Sequence, residues 1–154
     1  MPPRTLALLL LAAGSPAVAQ QAVGAVDLGV RTPLPGTWSY APISGGSQAA
    51  FRDTAGRTQL TIYCTRAQRR ITISKPASAA APSLLVWTTS QSRSVPSGFD
   101  PATARLNAAL SAYDPLLDAI AFSRGRFGVS VAGMPALVLP TWPESDRVIE
   151  DCRS

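Results

Sequence analysis

The sequence contains no histidine among its 154 residues. That absence removes Ser-His and Cys-His nucleophile pairs, histidine general bases and histidine metal sites together. Cysteine is nearly as scarce: Cys64 and Cys152 are the only two, and they do not form a CxxC redox motif. If they are paired, a zinc site has carboxylates alone to draw on, so no metal is expected. Neither a P-loop nor a dinucleotide-type glycine cradle is present, and no cofactor is expected. There is no internal repeat, heptad or low-complexity tract. Lysine occurs once, at Lys75, and the other 13 of the 14 basic residues are arginine.

Long apolar runs are also missing. The run at Leu6–Ala13 (LALLLLAA) is far short of the roughly 20 residues needed to span a bilayer. Arg4 precedes it, Gly14-Ser15-Pro16 breaks it, and Ala17-Val18-Ala19 forms a small-x-small cleavage site. This pattern predicts a signal peptide over 1–19, cleaved after Ala19, with the mature chain starting at Gln20. No cysteine adjoins the cleavage point, so no lipoprotein anchor is expected. The expectation is a periplasmic or secreted protein without a transmembrane anchor after cleavage.

Cleavage leaves 135 of the 154 residues, one domain of ordinary size. Loss of Arg4 takes the formal charge from +5 to +4. The arginine bias reads either as the product of a GC-rich genome or as a modest positive field favouring anionic partners such as lipid headgroups or acidic glycans. The basic residues are scattered, so a nucleic-acid partner is not expected.

A cysteine pair in an exported chain reads as a disulfide, with two free thiols as the competing reading. A Cys64–Cys152 bond closes a loop of roughly 90 residues, worth on the order of 4 kcal/mol by chain entropy. It would fasten the C-terminus, where chains usually fray, to a central strand.

Residues 20–36 read as a flexible lead-in stiffened by Pro33 and Pro35, and 37–154 as a single β-rich domain. Thr37–Pro42 carries Trp38 and Tyr40 on one face, and Gln48–Arg52 follows the loop Ser44-Gly45-Gly46. Asp53–Gly56 is a turn signal. Thr58–Thr65 is the clearest strand, with Leu60, Ile62 and Cys64 on one face. Arg66–Arg69 reverses the chain into a strand at Arg70–Ser74. A Pro/Ala/Ser connection over Lys75–Ser83 separates two halves of one sheet, and Ser83–Ser90 is the next strand, with Leu85 and Trp87 on one side. Ala102–Tyr113 alternates as a strand, with a helix capped by Asp100 as the alternative. Asp114-Pro115 opens a short helix over 115–122. Arg126–Val131 and Ala136–Leu139 form a hairpin. Thr141 and Glu144 have capping-box spacing for a final helix near 142–151, with Val148, Ile149 and Cys152 facing the sheet. The fold class expected is α+β, mainly an antiparallel sheet, sandwich-like or curved.

The most site-like cluster is Ser123-Arg124-Gly125-Arg126. Two arginines and a serine beside a glycine can cradle a phosphate or carboxylate. The structural alternative makes Gly125 a left-handed helix terminus and pairs the arginines with Asp114, Asp118 or the C-terminal acids. Arg66, Arg69 and Arg70 crowd one turn as a basic tip suited to an anionic surface, or as a solvated turn. Trp38, Trp87 and Trp142 are either stacking platforms or buried anchors. Asp114 with Asp118, Glu144 with Asp146, and Glu150 with Asp151 are the carboxylate neighbours available for acid–base chemistry. Asp114 and Glu144 are better explained as helix caps.

The first strand GTWSY, the central strand TIYC, the run LLDAIAFSRGRF, the G-x-P turn and the closing EDCR resemble small exported alphaproteobacterial proteins of unknown function. In layout, residues 37–153 are also similar to the invasion-associated locus B family. The resemblance implies an exported envelope protein without a catalytic residue to carry over. The Pro/Ala/Ser connection and the Cys152 helix depart from that family.

Together these features predict a non-enzymatic envelope module binding an anionic envelope component or a protein partner. An inhibitor of a secreted hydrolase such as lysozyme is the alternative, and a carboxylate-dependent hydrolase comes last.

Overall fold

A computed structural model describes residues 27–132 and 134–154. The signal peptide expected over 1–19 and the first part of the lead-in lie outside the described residues. Nine strands run in the order β1 (Gly36–Ile43), β2 (Gly46–Asp53), β3 (Thr58–Thr65), β4 (Arg70–Pro76), β5 (Ser83–Trp87), β6 (Ser92–Asp100), β7 (Arg105–Ser111), β8 (Arg126–Ser130) and β9 (Leu137–Pro140). Helix α1 (Pro115–Ala121) joins β7 to β8, and α2 (Pro143–Arg153) follows β9. The strands form one sheet in the order β1-β2-β3-β4-β7-β6-β5-β8-β9, with every neighbour antiparallel. The architecture is therefore α+β with a curved antiparallel sheet.

Curvature brings the two edges of the sheet together. The Leu34 amide donates to the Val138 carbonyl at 2.8 Å, and Trp38 Nε1 donates to the Pro140 carbonyl at 2.9 Å. Period-two alternation turns Ala49 and Phe51, Leu60 and Ile62, Ile71 and Ile73, and Leu106 and Ala108 into one core. Trp38 lies edge-on to Phe51 and stacked on Phe127, with centroids 5.4 and 6.4 Å apart. Helix α2 lays Val148, Ile149 and Cys152 on this face, and α1 adds Leu116, Leu117 and Ile120. A disulfide joins Cys64 of β3 to Cys152 of α2, with Cα atoms 5.5 Å apart. On the opposite face of the β5–β8–β9 edge, Leu28, Trp87 and Val138 form a second, smaller cluster. The lead-in is thus anchored where it is described, with Leu28 buried.

The structure corrects several expectations. Ala102–Tyr113 is a strand only from Arg105. Asp100 caps the preceding turn, accepting from the Ala102 amide at 3.0 Å and the Thr103 hydroxyl at 2.7 Å, and not a helix. The capping box at α2 does not form: the N-cap is Trp142 without a side-chain bond, and the Thr141 hydroxyl donates instead to the Ser123 carbonyl at 3.1 Å. Gly125 is left-handed (φ 73°) but does not end α1, whose C-cap is Phe122. Gly46 belongs to β2 and not to the preceding loop, where a Cβ would strike the Cys64 carbonyl. Strand β6 has no counterpart in the sequence reading, because SRSVPSGFD shows neither strong alternation nor β-branched content beyond Val95.

Candidate functional site

In this strand order the β1–β2, β3–β4 and β5–β6 turns and the β7–α1–β8 connection all emerge at one end of the sheet. The topology therefore gathers Arg66, Arg69 and Arg70 at the same end as Ser123, Arg124 and Arg126, although the sequence scatters them.

Of the second group, Arg124 and Arg126 line a cleft of about 540 Å³ between the end of α1 and the β5–β6 hairpin. Its walls are Leu28, Thr89, Ser90, Phe122, Arg124 and Arg126, with Gly29 at its edge. The loop that carries the arginines is pinned from both sides. Ser123 Oγ donates to the Arg126 carbonyl and accepts from the Thr89 amide at 3.1 Å. The Arg124 amide donates to Thr89 Oγ1 at 3.3 Å, and the Thr141 amide to the Gly125 carbonyl at 3.3 Å. Thr88 Oγ1 organises the facing hairpin, accepting from the Ser90 and Gln91 amides at 3.3 and 3.0 Å. Gly125 holds its positive φ between the two arginines, a conformation that costs a residue with a Cβ roughly 1–2 kcal/mol.

Ser123 is buried and its hydroxyl is used within the loop, so it does not face a ligand as expected; it positions the arginines. The expected pairing of the arginines with Asp114 or Asp118 is also absent. Asp114 takes Arg93 at 2.7 Å and Asp118 takes Arg153 at 2.7 Å. Among the described residues no salt bridge reaches Arg124 or Arg126. The Arg126 guanidinium donates to the Arg31 carbonyl, a neutral acceptor that leaves its charge uncompensated. Beside them Phe122 is 82% exposed, and Val30, next to the cleft wall, is 78% exposed. The site thus pairs uncompensated positive charge with exposed apolar surface.

The basic tip is partly committed to structure. Arg66, Arg69 and Arg70 are all exposed. Arg69, left-handed at φ 46°, donates to Tyr113 Oη at 2.6 Å, and that hydroxyl donates to the Arg153 carbonyl at 3.1 Å. Trp38 and Trp87 are buried, which leaves Trp142 alone among the tryptophans substantially exposed.

Three of the candidate carboxylates, Asp114, Asp118 and Asp151, are held structurally, whereas Glu144 Oε2 is buried without a partner among the described residues. Asp114 caps α1 through the Leu116 amide at 2.9 Å. Burial pushes its carboxyl up, but the Arg93 bond, that amide and the Arg93 charge together hold it below the usual carboxylate range. Asp118 is tied to Arg153, and Asp151 accepts from Tyr40 Oη at 2.7 Å.

Leu28, Thr89 and Ser90 were not legible as cleft residues. The Thr88-Thr89-Ser90 run reads as the end of a strand, yet consecutive hydroxyl side chains able to bond nearby amides are themselves a turn signal. Compared with models of known protein families, with curated proteins and with solved structures, the chain matches none.

Proposed function

We propose that the protein is an exported, non-enzymatic binding module that docks a phosphate-bearing lipid headgroup of the envelope in the cleft between Arg124 and Arg126. The observation that carries this reading is that, among the described residues, neither arginine has a carboxylate partner while the neighbouring acids are paired elsewhere. A guanidinium without an internal counter-ion attracts an anion, and it matches phosphate geometry with several directed donors. Exposed Phe122 and Val30 supply apolar surface beside the charge, the combination an interfacial lipid presents. Arg66 and Arg70, at the same end, add to the attraction over about a Debye length. Support for export comes from the Leu6–Ala13 run with its Ala17–Ala19 site and from the Cys64–Cys152 disulfide, which persists in oxidising compartments.

Co-sedimentation with phosphatidylglycerol vesicles, against phosphatidylcholine vesicles, tests the reading. Each arginine near an anionic surface is worth about 1 kcal/mol. The expected result is therefore selective binding to phosphatidylglycerol, weakened roughly fivefold by Arg124→Ala and more than tenfold by the double Arg124→Ala/Arg126→Ala variant, with raised salt acting in the same direction. Equal recovery of wild type and the double variant, or no preference for anionic vesicles, overturns it.

A further inference from the structure

The face of β2, β3, β4 and β7 turned away from the core carries a second depression, of about 430 Å³, which shares no residue with the arginine cleft. Its origin is visible in the register. Ala50, Thr61, Ser74 and Asn107 lie side by side across the four strands. The first three are small and make the floor. Longer side chains flank it: Gln48 and Tyr63 on one side, Arg52 and Arg105 on the other. The volume falls within the range of small-ligand sites.

Arg105 is the unusual member. Its Nε donates to Ser74 Oγ at 2.7 Å, and Nη2 donates to the Ser74 carbonyl at 2.7 Å and to Thr61 Oγ1 at 3.2 Å. Three of its five N–H donors are thereby fixed on neutral acceptors, while the two on Nη1 have no partner among the described residues. Among the described residues no salt bridge compensates the charge. Burial holds its pKa below the ordinary arginine value, as expected of a guanidinium partly removed from water without a counter-ion. A half-buried charge that gives up water without gaining a carboxylate is costly to keep for stability alone. The nearby acid, Asp100, has both oxygens engaged by its own turn.

We propose that this depression binds a carboxylate-bearing sugar, with Arg105 Nη1 and Arg52 taking the carboxylate and the amides of Gln48 and Asn107 taking hydroxyls. Tyr63 supplies an aromatic wall for the sugar ring. The negative charge of Asp100 at the rim disfavours a doubly charged phosphate and leaves a monoanionic carboxylate as the better fit. This inference rests on sheet residues alone and stands or falls separately from the lipid reading.

The test is two-dimensional NMR titration of the intact, disulfide-bonded protein with sodium glucuronate, glucose and inorganic phosphate. Expected are saturable glucuronate shifts at the Thr61, Ser74 and Asn107 amides, with glucose and phosphate each at least tenfold weaker. Arg105→Lys, which keeps the charge but loses the planar donor set, should weaken glucuronate at least fivefold, with changes in the ligand-free spectrum confined to the surroundings of Ser74 and Thr61. Because Arg105 also braces Ser74, Asn107→Ala is the second variant, expected to weaken binding about threefold without touching that brace. Absence of saturable shifts with glucuronate, equal response to glucose or phosphate, or unchanged affinity in Asn107→Ala together with Arg52→Gln overturns the proposal.

Discussion

Trp38 Nε1 donates to the Pro140 carbonyl at 2.9 Å, and so one side chain of the first strand ties down the last residue of the ninth. The indole body meanwhile fills the core between Phe51 and Phe127. The same residue therefore sets both the closure of the sheet and its packing. Trp38→Phe retains much of the apolar volume but leaves the Pro140 carbonyl without its donor. A destabilisation of about 2 kcal/mol is expected, combining the lost bond and the incomplete filling. Urea denaturation followed by fluorescence and circular dichroism measures it. A change under 0.5 kcal/mol, on the scale of an ordinary surface substitution, would remove this contact from the account of closure.

The disulfide acts at a different place. It joins residues 88 positions apart and holds α2 on the inner face of β2 and β3. Cys64→Ser/Cys152→Ser should lower stability by about 4 kcal/mol, chiefly by freeing the unfolded chain. Thiol titration of the purified native protein should detect no free thiol before reduction. Two reactive thiols in undenatured protein would contradict both the bond and the support it lends to export.

Strands β3 and β4 and helix α1 were legible because their patterns are strong, and α2 was legible from the spacing of Val148, Ile149 and Cys152 although the signal read for its start does not form. TQLTIYCT alternates over its full length, and Asp114-Pro115 carries both an acceptor and a proline suited to a first helical turn. Strand β6 was illegible for the opposite reason: Pro96 and Gly98 are breakers by composition, and Pro96 sits where β6 passes from pairing with β5, which ends at Pro96, to pairing with β7, which begins at Ser97. The capping box fails by one position. Thr141 has the right spacing from Glu144, but the helix begins at Pro143 with Trp142 as its N-cap, so Thr141 lies one residue before the capping position and its hydroxyl donates to the Ser123 carbonyl. Within the site, the arginines at 124 and 126 could be found from their spacing around Gly125, whereas Thr89, Leu28 and the whole Arg105 depression depend on register and on chain segments far apart in sequence.

Acid should weaken the fold in a defined direction. The Arg57 backbone amide, with smaller contributions from the Gln59 and Arg57 side chains against some burial, holds Asp53 below the usual carboxylate range. The Tyr40 hydroxyl does the same for Asp151, and at Asp114 the Arg93 contacts and the Leu116 amide together outweigh burial. A carboxyl depressed in the folded state contributes stability that is fully present above its unfolded value, about 3.9, and is lost as pH falls through the lower folded value. The melting temperature should therefore drop below about pH 4. Asp114→Asn keeps a capping acceptor but loses the Arg93 ion pair, and should show a shallower drop. Asp146 has the opposite sign: burial raises it, with Glu150 and Glu144 adding to the rise against the Ser145 bond. Its ionisation costs stability as pH climbs through the raised value, so Asp146→Asn should melt higher than wild type at pH 7 and converge with it in acid.

The claim that Arg124 and Arg126 form an anion-docking cleft is tested most directly by NMR mapping with a short-chain phosphatidylglycerol kept below its micelle concentration. Saturable shifts are expected at the amides of Gly29, Ser90 and Arg124, abolished in Arg124→Ala/Arg126→Ala while the remaining spectrum stays in place. Shifts confined to other surfaces, or a double variant that responds like wild type, would contradict it.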